Sequence, residues 1–254
     1  MKVRILGCGP SSGVPRIGND WGECDPGNPR NRRTRTSILF ESAGRRLLVD
    51  CGPDLRQQLL SADMGTVDGV LVTHDHADHC HGIDDLRQVA ANRGEPVPLY
   101  ARPETLDGLA ARFRYVFEGS ELYRPTVAPH QLGNGLDWGW ARLRFADQPH
   151  GQISSLGIRA DEGDRSLVYS IDFHVLTPDM ANLYQHANMW ICAVTPNKSH
   201  LTHASLDAVL VWARDLQIDQ LLLTNLDKRM DYGTLARELP DWAAPAFDGQ
   251  ELEL

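Results

Sequence analysis

Residues 68–79 read DGVLVTHDHADH: a short apolar run carries the chain to Thr73, and then come His74, His76, Asp78 and His79. An unbroken apolar run of this length fits a strand buried on both faces. Four imidazole or carboxylate donors within six residues follow it, where a rigid strand can hold them in place. A lone histidine would read as part of a solvated loop, but this density does not. Imidazoles and carboxylates together suit borderline divalent cations. Alternation lets His74 and His76 face one cation while Asp78 and His79 face a second. Two cations roughly 3.5–4 Å apart can share a water or hydroxide.

Outward from this stretch, strands and helices interleave. Strands are expected at Val3–Leu6, Thr36–Glu41, Arg46–Asp50, Asp68–Thr73, Pro98–Ala101, Leu156–Ala160, Ser166–Ile171, Met189–Ala193, Gln220–Leu223 and near Glu251–Leu254. Helices are expected at Asp54–Ala62, Ile83–Ala91, Pro103–Phe113, Asp179–Tyr184, Ser205–Leu216 and near Tyr232–Leu239. Residues 120–148 read as short strands and loops. Nothing repeats and no linker divides the chain, so residues 1–254 are read as one α/β domain. The loop from Gly7 to Arg35, about 30 residues, exceeds an ordinary connection and is expected to serve function.

Composition bounds the function. The chain has 254 residues, 42% hydrophobic and 23% charged, which excludes disordered, collagen-like and coiled-coil classes. Its net charge of −9 argues against a nucleic-acid partner, because phosphate neutralisation needs clustered cations. The five cysteines form no C-x-x-C pair and read as reduced thiols. Cys51 and Cys192 are expected to be packed in the interior. With no leader-like start and no apolar run near the ~20 residues of a membrane span, the expected location is the cytoplasm, with no membrane partner. A homodimer is expected on general grounds.

The order of these motifs resembles the metallo-β-lactamase superfamily of hydrolases. His74–His79 resembles its H-x-H-x-D-H signature, and Leu47-Leu48-Val49-Asp50-Cys51-Gly52 its aspartate-glycine motif. His150-Gly151 resembles the next histidine motif, and Asp172, closing Tyr169-Ser170-Ile171, the bridging-aspartate motif. The resemblance implies a four-layer αββα sandwich with two divalent cations, Zn or Mn, at its mouth. His74, His76 and His150 would form one site, Asp78 and His79 the other, and Asp172 would bridge them. Asp50 would stand behind the ligands and fix the metal loop by hydrogen bonds. The family usually adds a histidine after the last buried strand. This chain has Asn225 there, with Asp227 two residues on. An amide oxygen is a weaker zinc ligand than imidazole, so both are placed around the second site, and manganese becomes more plausible.

The opening stretch GCGPSSGVPRIGNDWGECDPGNPRNRRTRTS (residues 7–37) and Ser199–Asp207 resemble one branch of that superfamily. This branch contains the phosphoribosyl cyclic phosphate phosphodiesterase of phosphonate degradation (PhnP-like). It implies a histidine at the active-site mouth just before a helix: His203, or failing that His200. Cys24 stands alone in the opening loop, so no structural zinc is expected there. Arg32 and Arg33 are candidates for binding phosphate. The expected activity is hydrolysis of a small cyclic or nucleotide-like phosphodiester by a metal-bridging hydroxide. Asp78 and His203 would be catalytic, with His203 protonating the leaving oxygen. The rival readings are a thioester, lactone or RNA hydrolase on the same fold, and a decayed one-metal binding module.

Overall fold

The computed structural model describes residues 1–196 and 201–254. One seven-stranded sheet runs, edge to edge, β14 (Glu251–Glu253), β1 (Lys2–Gly7), β2 (Ser37–Ser42), β3 (Arg45–Val49), β4 (Gly69–Leu71), β5 (Val97–Ala101) and β6 (Val127–Gln131). The other runs β13 (Ala243–Pro245), β12 (Gln220–Thr224), β11 (Met189–Ala193), β10 (Arg165–Ser170), β9 (Ile153–Glu162), β8 (Ala141–His150) and β7 (Gly135–Trp138). The halves match in plan. Antiparallel pairing gives way to parallel pairing from β3 to β6 and from β10 to β13.

Side-chain alternation builds the layers, since successive residues of a strand face opposite sides. Ile38, Phe40, Leu47 and Val49 point between the sheets and meet Ile158, Leu167, Tyr169 and Ile191. Leu39 and Leu48 point outward, onto α1 (Leu55–Ser61), α3 (Leu86–Arg93) and α4 (Pro103–Arg112) through Leu55, Leu86 and Leu109. In the second sheet Trp190, Cys192, Leu221 and Leu223 point outward. They pack on α6 (Pro178–Tyr184), α7 (Leu206–Asp215) and α8 (Tyr232–Glu238) through Met180, Val209 and Leu235. Helix, sheet, sheet and helix are therefore stacked as expected. No helix among the described residues is long and apolar enough to cross a membrane.

Local details differ from the expectations or add to them. The strand after Asp68 holds its ladder only over Gly69–Leu71; beyond it Thr73 bonds to the Asp50 side chain instead. Within the metal loop, residues 77–80 form a short helix, α2 (Ala77–Cys80). A further short helix, α5 (Arg114–Glu118), follows α4. The ten-residue β8 was hidden because the buried face changes along it. Ala141 and Leu143 face the inter-sheet core, while Ala146 and Gln148 are buried on the other face, under α6. Trp138, closing β7, is buried, whereas Trp140 in the turn to β8 is 78% exposed.

Candidate metal centre

The candidate residues meet where the parallel strands end, which is where open α/β sheets usually place their ligands. Three such strands end in an Asx residue in the left-handed region. Asp50 follows β3 (φ +65°), Asp172 follows β10 (φ +50°) and Asn225 follows β12 (φ +59°). Short polar side chains tolerate this conformation better than others. It turns the chain sharply at the sheet edge.

The metal loop rests on the segment after β3. The Cys51 N–H donates to the His79 carbonyl (2.8 Å), and the Gly82 N–H donates to the Cys51 carbonyl (2.8 Å). Gly52 must be glycine for this contact, because a Cβ there would lie 2.0 Å from the Asp78 carbonyl oxygen. Asp50, fully buried, accepts from the Thr73 N–H (2.8 Å), the Thr73 hydroxyl (3.0 Å) and His79 Nδ1 (2.8 Å). On the outer side, Arg112 donates to the Asp75 carbonyl (2.7 Å) and carboxylate (2.6 Å), which ties the loop to α4.

Two donor groups result. One ligand atom each from His74, His76, His150 and Asp172 lies within 4.8 Å of the others, and so do those of Asp78, His79 and Asp172. Asp172 Oδ2 is 3.6 Å from His74 Nε2, 3.4 Å from His79 Nε2 and 3.5 Å from His150 Nε2. The opposite ring nitrogens are held. His74 Nδ1 meets the Thr73 hydroxyl (3.1 Å), His79 Nδ1 meets Asp50, and His150 Nδ1 meets the Thr202 carbonyl (2.9 Å). Fixing one nitrogen in this way presents the other for ligation. His74 Nε2 is buried with no hydrogen-bond partner, an arrangement that costs energy unless something fills it. The donor set and this orphaned nitrogen both fit a divalent cation.

Electrostatics agree. Burial, reinforced by His79, pushes the His74 imidazole well below its ordinary value, so it is neutral and able to ligate. Burial alone would raise Asp172, but His79, His74 and His203 together hold it well below the usual carboxylate range. Burial would likewise lower His79, yet Asp50 and Asp172 drive it well above the imidazole range. Two carboxylates, Asp50 and Asp172, thus converge on His79 with negative charge that a cation would balance.

His203, partly exposed, has Nδ1 3.7 Å from Asp172 Oδ1; its ring lies 5.3 Å from that of His150. The runner-up, His200, lies outside the described residues. Asn225 Nδ2 donates to Asp172 Oδ1 (3.2 Å).

Three expected residues have other uses. Arg33 turns its guanidinium into the interior. Its buried guanidinium donates to the carbonyls of Leu226 (3.1 Å), Asp227 (3.1 Å) and Met230 (2.8 Å) and to the Asn31 side chain (3.1 Å). Arg32 is exposed, with its guanidinium 5.1 Å from the centre of the Trp21 ring. The Asp227 carboxylate pairs with Arg229. Sequence reasoning missed Thr73, Thr202 and Arg112. Thr73 was signalled by its place before His74. Thr202 acts through its backbone carbonyl, which carries no side-chain signature.

Comparison with known proteins agrees with this geometry. Residues 45–224 match the profile of the beta-lactamase superfamily domain, and the chain belongs to that superfamily. Its fold overlays a diphosphatase of the PhnP family with a TM-score of 0.90 at 29% identity, covering 100% of this chain and 97% of that one. Zn²⁺-bound PqqB from Methylobacterium extorquens shares the fold at a TM-score of 0.80 and 20% identity, with full coverage of both chains. Among curated relatives, an octanoyltransferase of Porphyromonas gingivalis is 43% identical over 169 residues, 64% of this chain but 33% of that protein. A ribonuclease Z of Bradyrhizobium diazoefficiens is 36% identical over 83 residues, 31% of this chain and 28% of that one. The chain thus spans about a third of the length of these curated relatives. Superfamily membership, fold and donor set together mark this cluster as the candidate metal centre.

Proposed function

We propose that this chain hydrolyses a small cyclic or nucleotide-like phosphodiester, with two divalent cations, Zn or Mn, bound by the two donor groups. His74, His76, His150 and Asp172 would hold one cation, and Asp78, His79 and Asp172 the other. Bound there, the cations supply Lewis acidity toward phosphoryl oxygens and a water acidic enough to attack near neutral pH. The observation that carries the reading is the placement of a partly exposed imidazole, His203, beside this buried donor cluster. From there His203 donates a proton to the departing alkoxide, a role typically worth about 10²–10⁴-fold. Asp78, whose side chain is 21% exposed, accepts a hydrogen bond from water on its open side and orients it. The names of two neighbours, a diphosphatase and a ribonuclease, support chemistry at phosphorus. The acyl-transfer name belongs to a relative of which the match covers only 33%, so thioesters form the comparison arm of the test.

The test is a panel of phosphodiesters, thioesters and lactones assayed with Zn²⁺ or Mn²⁺ added. Turnover of phosphodiesters alone is expected. His203→Ala should cut kcat by about 10²–10⁴-fold on an alkyl leaving group and far less on bis(p-nitrophenyl) phosphate, whose leaving group needs no proton. His200→Ala is the parallel control. Preferential turnover of thioesters would reject the reading.

A further inference from the structure

We infer that the two halves of the centre bind their cations with unequal affinity, and that Asn225 acts by holding Asp172 rather than as a ligand. This rests on the metal-centre reading above and adds to it an order of filling. The halves differ in chemistry. One offers three imidazoles, His74, His76 and His150, together with Asp172. In two of these, the second nitrogen is fixed, by the Thr73 hydroxyl and the Thr202 carbonyl. The other half offers a single imidazole, His79, with Asp78 and Asp172. Nitrogen-rich sets favour zinc and oxygen-rich sets suit harder cations.

Asn225 stands at the end of β12, beside the shared carboxylate, where it could have supplied a further donor. Its side chain instead directs Nδ2 at Asp172 Oδ1, 3.2 Å away. An amide nitrogen donates hydrogen and offers no lone pair to a cation. The two oxygens of Asp172 are thereby divided. Oδ2 faces His74, His79 and His150 at 3.4–3.6 Å. Oδ1 is occupied by Asn225 and by His203 Nδ1 at 3.7 Å. Asn225 is thus a positioning residue for the carboxylate common to both halves, and the half containing Asp78 and His79 is left short of a donor. The tri-imidazole half fills first, and the other half exchanges with the surrounding pool of cations.

Equilibrium dialysis of the full chain against Zn²⁺ tests this, with Co²⁺ absorption reporting each site's coordination and thermal unfolding confirming that each variant folds. Two classes of site are expected, separated by at least about tenfold in Kd. Asn225→His, by adding an imidazole, should tighten the weaker class by about tenfold or more and leave the tighter class unchanged. Asn225→Ala should weaken both classes in parallel, about 10–100-fold, as loss of a residue orienting a shared ligand does. Two classes within threefold of each other, or an Asn225→Ala effect confined to the weaker class, would overturn the inference while leaving the hydrolase reading intact. Absence of any bound zinc would overturn both.

Discussion

Asp50 is fully buried, and three hydrogen bonds converge on it from Thr73 and His79. Asp50→Ala should therefore lower affinity for zinc by about 10–100-fold, the usual cost of losing a partner behind a metal ligand, as measured by equilibrium dialysis. An affinity within threefold of the parent would show that the His79 ring is held by other means. Asp50, Asp172 and Asn225 were legible in sequence because each stands where the resemblance to the superfamily's motifs implies a residue of the site. Arg33 was not. It looked like one cation in a basic run, and its acceptors are the carbonyls of Leu226, Asp227 and Met230, some 190 residues away. No local pattern announces such a pairing. Arg33→Met removes the donor and leaves these carbonyls facing a thioether, so urea unfolding should register a loss of about 3 kcal/mol.

At the scale of elements, the decisive contact is between the turn after β3 and α2. Gly52 lets the Asp78 carbonyl approach to a distance no side chain permits. Gly52→Ala should displace the metal loop, destabilise the fold by about 1–3 kcal/mol and weaken zinc binding in the same variant, by calorimetry and dialysis respectively. Loss of stability with unaltered zinc affinity would mean that the loop does not depend on this support. Most strands and helices were readable, because apolar runs such as Trp190–Cys192 and Leu221–Leu223 belong to strands covered on both faces. β8 was not readable, since α6 covers only its second half and the buried face switches along it. α2 escaped because four residues of helix carry no periodicity, and the metal-loop histidines dominated the reading.

At the scale of the whole molecule, the long N-terminal loop closes onto the C-terminal helix through Asp231. Its carboxylate accepts from the Thr234 N–H (2.8 Å), the Asn31 amide (2.6 Å) and the Asp25 N–H (3.2 Å). Against the upward push of burial, these bonds bring it down to about 2. A carboxylate depressed in the folded state stabilises above its unfolded value, near 3.9, and loses that contribution as pH falls toward the folded value. After screening by solvent this amounts to about 1 kcal/mol. The stability lost between about pH 4 and pH 2 should therefore be smaller by that amount in Asp231→Asn than in the parent, by urea titration. The αββα order followed from the sequence of motifs, whereas this closure joins residues some 200 apart and could be seen only in the fold.

The most direct test of the central claim is the rate of bis(p-nitrophenyl) phosphate hydrolysis by chelator-stripped protein before and after Zn²⁺ or Mn²⁺ is restored, with Asp172→Ala alongside. The expected result is no turnover when stripped, recovery on addition of the cation to the parent, and no recovery in Asp172→Ala. Equal rates in the stripped and restored protein, or full recovery in Asp172→Ala, would contradict it.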